Sequence, residues 1–293
     1  MQGDALADRF EAQRGNLHQV AYRMLGSASE AEDAVQETWL RLARVDAEAV
    51  ENLAGWLRTV VSRVCLDVLR ARASRREEPL GPRALDEPGQ GGQGGDPEQE
   101  AVLADSVGRA LLVVLDRLGP AERVAFVLHD MFSVPFDEIA PIVERSAVAT
   151  KKLASRARHR VRGAAAIDGA ELARQRRVVE AFLAAARLGD VDAILALLAP
   201  DVVRRADAAA LPPGRAAVVR GARAVAEEIA VFGQNARFAE PALVSGGVGI
   251  VVAPRGRLLL ALVVTIAGEQ IVEYELIADP TRLQGLTLAV LDR

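Results

Sequence analysis

Apolar residues recur at helical spacing through the first two thirds of the chain and in short runs toward its end. Ala31, Val35, Trp39 and Leu42 fall on one stripe, at i, i+4, i+8 and i+11, which predicts an amphipathic helix. Within "EDAVQETWLRL" (Glu32 to Leu42), Ala34, Val35, Trp39, Leu40 and Leu42 are expected in a core. Ser29 with Glu32 reads as a capping box. Asp33, Glu37 and Arg41 line a second stripe, where Glu37 and Arg41 can pair across one turn. Periodicity alone makes that stripe a solvated face. A further helix, "GWLRTVVSRVCLDVLRARASRR", carries an apolar stripe through Trp56, Val60, Val64 and Leu69, with arginines on its other side.

A second helical block runs over 101–163. "PAERVAFVLHDMFSVPFDEIAPIVERSAVATKKLASRARHRVRG" reads as helix, short helix, turn, helix. Phe136, Ile139, Ala140 and Val143 make the short helix apolar on one side, and Pro141 should kink or stop it. "ERS" forms the turn, with Ser146 capping the next helix. In that helix Val148, Leu153, Ala157 and Val161 are expected to face inward, while Lys151, Lys152, Arg156 and Arg160 project elsewhere. This is the helix-turn-helix layout, whose second helix enters the major groove. The competing reading is a basic helix with a solvated face.

The third block, 175–293, changes character. "RRVVEAFLAAARLGDVDAILALLAPDVV" has helical spacing through Val178, Val179, Phe182, Leu183 and Ala186, with Asp190 as a cap and Pro200 as a stop. Strand-like runs follow at Gly249–Ala253, Arg257–Ala267, Gln270–Ala278 and Leu286–Leu291, separated by turns, which predicts an antiparallel meander. The blocks are joined by a Gly- and Gln-rich linker over 77–100 and a shorter one over 164–174. The expected architecture is multi-domain: two all-α domains, the first over 6–76, followed by an α+β domain with a curved antiparallel sheet.

Composition narrows the function. The chain of 293 residues has formal net charge −4, which alone does not indicate a nucleic-acid binder. The charge is unevenly placed. Arg145 to Gly163 holds no acid but seven Lys and Arg residues, and Ala54 to Arg76 sets six arginines against Asp67. Two basic blocks in an acidic chain suggest local phosphate contacts. Cys65 is the only cysteine, so no disulfide framework forms, and no signal pattern or membrane-length apolar run is present. A cytoplasmic protein that binds no membrane is expected. No phosphate-cradling loop, dinucleotide fingerprint or zinc spacing occurs, so no cofactor, metal or catalytic set is expected. Trp56 could stack on an unpaired base, although a Trp at such spacing is more often core.

In order and spacing, "AYRMLGSASEAEDAVQETWLRL", "LAGWLRTVVSRVCLDVLRAR", a linker and the helix-turn-helix resemble an extracytoplasmic-function (ECF) sigma factor over about the first 163 residues. The resemblance implies a sigma region 2 bundle, a region 4 helix-turn-helix domain, and two partners, core RNA polymerase and promoter DNA. It implies that Asp33, Gln36, Glu37 and Arg41 lie on the polymerase-docking helix. "DAEAVENLAG" and the helix after it would handle the −10 element, through Asn52, Trp56, Arg58, Arg63 and Arg70. "RSAVATKKLASRARHR" would read the −35 element, through Arg145, Ser146, Lys151, Lys152, Arg156 and Arg160.

The third block is similar to SnoaL-like domains of the NTF2-like superfamily, cone-shaped folds that one group of these sigma factors carries at the C-terminal end. That group's short signatures have counterparts here in "GPRALDEP" (Gly81 to Pro88), "DAAALPPGR" (Asp207 to Arg215) and "DPTRL" (Asp279 to Leu283), with alanines in place of a glycine triplet. Asp207, Arg215, Asp279, Pro280 and Arg282 are therefore the expected regulatory residues, and an intramolecular contact between this domain and the sigma domains is expected. Two alternatives stand beside this reading. One is a stand-alone helix-turn-helix regulator with a ligand-sensing cone. The other is an enzyme using Asp207, Glu273 and Glu275, which has no histidine in the block to work with.

Overall fold

The computed structural model describes residues 2–45, 50–77, 108–212 and 214–291. The linker over 77–100, with its "GPRALDEP" stretch, lies outside the described residues apart from Glu77, as does Asp46–Ala49 of the segment before Trp56. The chain divides into two compact units, one of 1–106 with 115–159 and the other of 107–114 with 160–293.

In the first unit, α1 (Gln2–Leu25), α2 (Ala28–Leu42) and α3 (Leu53–Glu77) form a bundle. Phe10, Leu17, Ala21, Met24, Ala31, Val35, Leu42, Leu57 and Val61 fill its core. The cap of α2 lies two residues earlier than the pattern suggests. Ser27 accepts the Glu30 N–H, and the Glu30 carboxylate pairs with Arg72 of α3 rather than closing a box. Glu32 instead pairs with Arg14 of α1. The stripe through Val60, Val64 and Leu69 is buried, and so is a second one through Leu57, Val61 and Cys65. Two buried stripes mean that α3 is covered on two sides, by the bundle and by the helices that follow.

The next helices are α4 (Arg109–Asp116), α5 (Pro120–Phe126), α6 (Phe136–Val143) and α7 (Ala147–Arg162), and it is α5 and α6 that pack on α3. Arg109–Val114 and the last turn of α7, from Arg160, are counted with the second unit. Pro141 lies inside α6, which ends two residues later. Glu144 takes the left-handed conformation at φ 57°, and the Arg145 N–H reaches back 3.1 Å to the Ala140 carbonyl. Such a close is usually made by glycine. Ser146 then accepts the Ala149 N–H at 3.2 Å and starts α7, as its sequence position suggests.

The second unit is a mixed sheet with helices packed against it. After α8 (Gly169–Leu188) and α9 (Val191–Leu197) come β1 (Leu198–Ala206), β2 (Val218–Arg220), α10 (Ala222–Phe232), β3 (Ala239–Val244), β4 (Gly247–Val252), β5 (Leu260–Ala267), β6 (Gln270–Ile277), α11 (Pro280–Gly285) and β7 (Leu288–Ala289). The sheet order is β2-β1-β6-β5-β4-β3-β7. The sheet is not wholly antiparallel, because β1 runs parallel to β6. Pro200 follows the end of α9 at Leu197 by three residues, as the expected helix stop does. It lies inside β1, where the register shifts between Leu198 and Val203. A shift of this kind is where a strand tolerates a residue with no N–H. Val179, Phe182, Ile194, Val202, Val225, Ile250, Ile271 and Tyr274 form the core between helices and sheet.

Candidate nucleic-acid interface

On α2 the polar stripe survives folding. Asp33 and Gln36 are exposed, and Glu37 pairs with Arg41 at 2.8 Å, as the one-turn spacing suggests. Leu40 does not join the core. It is 47 % exposed and falls on the face of Asp33 and Gln36, at i, i+3 and i+7. Trp39 is half-buried and tilts against Phe10, with ring centroids 5.0 Å apart. The outer face of α2 therefore offers one large apolar side chain ringed by polar ones.

At the start of α3, the Asn52 side chain accepts the Gly55 N–H at 2.9 Å and so caps the helix. Trp56 is half-buried. The three arginines expected to face DNA all meet α6 and its end. Arg58 bonds Glu138 at 3.0 Å, Arg63 donates to the Pro141 carbonyl at 3.4 Å, and Arg70 bonds Glu144 at 3.3 Å.

The outer side of α7 is cationic. Arg145, Ser146, Lys151, Lys152, Arg156 and Arg160 are exposed. Arg156 also reaches Glu122 at 3.2 Å, and Arg158 pairs with Asp130 at 2.7 Å, which raises the Arg158 pKa through that hydrogen bond. Ala157 and Val161 are buried as expected, Leu153 is half-buried, and Ala154 and Thr150 are buried beside them. Val148 is not. It is 68 % exposed, one turn from Lys151 and Lys152. Sequence reasoning placed Val148 and Leu40 inside because they are apolar. The available signal was their position beside exposed polar residues at helical spacing.

In the second unit, Asp207, Asp279, Pro280 and Arg282 come together. The Asp207 carboxylate accepts the Ala210 N–H at 3.0 Å and the Ala278 and Asp279 N–H groups at 2.9 Å each. Asp279 caps α11 by accepting the Arg282 N–H at 2.9 Å, and Pro280 is the first residue of that helix. The Arg282 guanidinium bonds Glu275 at 2.8 Å and lies 3.8 Å from Asp207. Arg215 is exposed on the segment between Asp207 and β2. Glu273 pairs with Arg205 at 2.5 Å. Neither Glu273 nor Glu275 lines the cavity of this unit, which takes Tyr274 and Leu276 from the same strand. Alternation along β6 therefore puts the two carboxylates on the opposite face. The carboxylate that does line the cavity is Glu228, which the sequence pattern did not mark.

Among the described residues, no group of three His, Cys, Asp or Glu side chains could hold a metal ion, and no helix is long and apolar enough to cross a membrane.

Residues 10–75 match the Sigma-70 region 2 family. The ECF RNA polymerase sigma factor SigJ of Mycobacterium tuberculosis (strain H37Rv) is 41 % identical over 250 residues, covering 82 % of this chain and 78 % of the relative. The chain belongs to the ECF RNA polymerase sigma factors. A probable ECF RNA polymerase sigma factor, SigI of the same species, is 38 % identical over 207 residues, covering 71 % of each chain. The crystal structure of SigJ aligns over 95 % of this sigma factor and 98 % of its own chain, at 34 % identity and a TM-score of 0.44.

Proposed function

We propose that this sigma factor docks on core RNA polymerase through the outer face of α2 and places α3 and α7 on the −10 and −35 promoter elements. On this reading Leu40 is the apolar anchor of the docking face, ringed by Asp33, Gln36, Glu37 and Arg41. An exposed leucine within a polar rim is the composition of an interface centre. Lys151, Lys152, Arg145, Arg156 and Arg160 supply phosphate contacts, Ser146 holds the turn, and the Val148 methyls suit a thymine methyl in the major groove. Arg58, Arg63 and Arg70 serve the −10 strand, with Trp56 as a stacking partner and Asn52 fixing the start of α3. The chain performs no covalent chemistry itself; the polymerase does. It acts in the cytoplasm, where polymerase and promoter are. The domain from about residue 175, with Asp207, Arg215, Asp279, Pro280 and Arg282, modulates this activity through contact with the sigma domains. The domain limits are those of the sequence pattern.

The observation that carries this reading is the exposed cationic face of α7, the second helix of a helix-turn-helix, in a chain with a Sigma-70 region 2 bundle. The test is run-off transcription from genomic fragments with purified core polymerase. Core enzyme plus this protein should give discrete promoter-dependent products, and duplex gel shifts should need the core enzyme. Tight duplex binding without polymerase, and no transcript with it, would make the chain a stand-alone regulator.

A further inference from the structure

The second unit holds a cavity of about 260 Å³. Protein interiors have few voids larger than a water molecule, so a cavity of this size calls for an explanation. It approaches the lower end of small-molecule sites. Its wall is mostly apolar, from Phe182, Leu183, Ile250, Val252, Leu260 and Leu262.

Polar chemistry enters the wall through Arg204, Glu228 and Tyr274. Arg204 is 1 % exposed and fully engaged. Its Nε and Nη2 donate to the two Glu228 carboxylate oxygens, the former at 2.9 Å, while Nη1 donates to the Ala216 and Ala217 carbonyls at 2.9 and 3.4 Å. Glu228 gives each oxygen one guanidinium bond and keeps acceptor capacity on both. The Tyr274 side chain is buried, and burial, followed by the Glu228 charge, pushes its phenol pKa well up. It therefore keeps its proton and can donate. No hydrogen bond to the Tyr274 hydroxyl is seen among the described residues.

Ala210, Leu211 and Pro212 also line the cavity. They belong to the "DAAALPPGR" stretch, which Asp207 ties to the backbone after β6.

We infer that this cavity binds a neutral, mostly apolar alcohol or phenol, whose hydroxyl donates to Glu228 and accepts from Tyr274. Charge decides the class. Among the described residues the one lining cation is Arg204, already neutralised by Glu228, so an anion would lose its hydration and meet a carboxylate instead. The inference rests on the geometry of the second unit alone and stands independently of promoter binding.

Isothermal titration of the full-length chain with 1-naphthol and with 1-naphthoate tests it. One equivalent of 1-naphthol should bind, and 1-naphthoate at least about tenfold more weakly, as a buried unpaired charge requires. Tyr274→Phe should weaken 1-naphthol about fivefold, the loss of one hydrogen bond. Ala210→Trp should abolish binding at an unchanged melting temperature; if that variant does not fold, Tyr274→Phe decides. Equal affinity for the two probes, full affinity in Tyr274→Phe, full affinity in a folded Ala210→Trp, or no binding of 1-naphthol, 1-octanol and benzyl alcohol alike would overturn the inference.

Discussion

Leu40 and Val148 share a local rule. Each is a large apolar side chain left in water on a helix that buries other apolar residues on its opposite side. A single exposed apolar residue is ordinary. These two stand among the charged positions expected to bind polymerase and DNA, and that makes them the residues to change first. Leu40→Ser should cut core-polymerase affinity at least about fivefold, the loss expected at an interface centre. Asp33→Arg should act in the same direction, and helical circular dichroism should stay unchanged in both. Unaltered affinity in a competition assay would return the face of α2 to solvent. Cys65 is the opposite case. It is fully buried on α3, and desolvation pushes its thiol up to about 12. Only the thiolate attacks disulfides, so the folded chain should not react with Ellman's reagent at pH 8 and should release one equivalent once unfolded. The sign for stability follows. The unfolded thiol ionises first, near its ordinary value of 9.0, so this contribution is whole below that pH and is lost as pH rises toward about 12.

Helix α6 engages the arginines that α3 would offer to DNA. Its Glu138, its Pro141 carbonyl and its closing residue Glu144 hold Arg58, Arg63 and Arg70. A guanidinium on a carboxylate cannot also hold a phosphate in the same geometry. The pairs are exposed, so each contributes about 0.2–1 kcal/mol and weakens with salt. Glu138→Lys with Glu144→Lys should therefore raise the affinity of the free protein for a single-stranded −10 oligonucleotide about two- to tenfold, measured by fluorescence anisotropy. The gain should shrink as salt increases. A drop in affinity would mean that these arginines do not contact the strand. In the second unit, one carboxylate joins three backbone N–H groups across two segments. Asp207→Ala should leave those donors unsatisfied, a cost of about 1–3 kcal/mol each if water cannot reach them, and should lower the melting temperature of the chain by several degrees. Asp207→Asn, which keeps the acceptor oxygen, should lose less.

At the scale of the whole molecule, a net charge of −4 coexists with a cationic face on α7. Duplex binding by the polymerase complex should therefore lose affinity with salt in proportion to the phosphates that α7 meets. Replacing Lys151 and Lys152 with alanine should weaken binding nearly alike on all sequences and reduce the salt slope by about 2. A change confined to one sequence would make those lysines base readers. What the sequence revealed of this molecule follows the range of the interactions. The helices of both α blocks, the Ser146 cap and the Glu37–Arg41 pair depend on neighbours within a turn or two, and periodicity shows them. The parallel pairing of β1 with β6 joins segments about 70 residues apart, with Arg204 beside Tyr274, and no local pattern encodes it. Pro200 marked the end of the helix before it, but the register shift of β1 around it was invisible before the partner strand was known. The Arg204–Glu228 pair was missed for the same reason, since its partners lie on a strand and a later helix. The polar face of α2 was legible, but its apolar centre was not, because an interface residue and a core residue look alike until the fold sorts them.

The parallel seam also sets an order of events during synthesis. The β1 residues leave the ribosome with Val202 apolar and Arg204 charged, and the strand they will lie beside does not yet exist. Short β2, with three residues, can shield only one edge of β1 in the meantime. Non-local pairings of this kind are slow to close and leave apolar edges open to other chains. The growing chain should thus need protection, by a holding chaperone or by fast elongation, from the emergence of β1 until β6 is made, whereas the bundle of α1 to α3 can condense well before that interval begins.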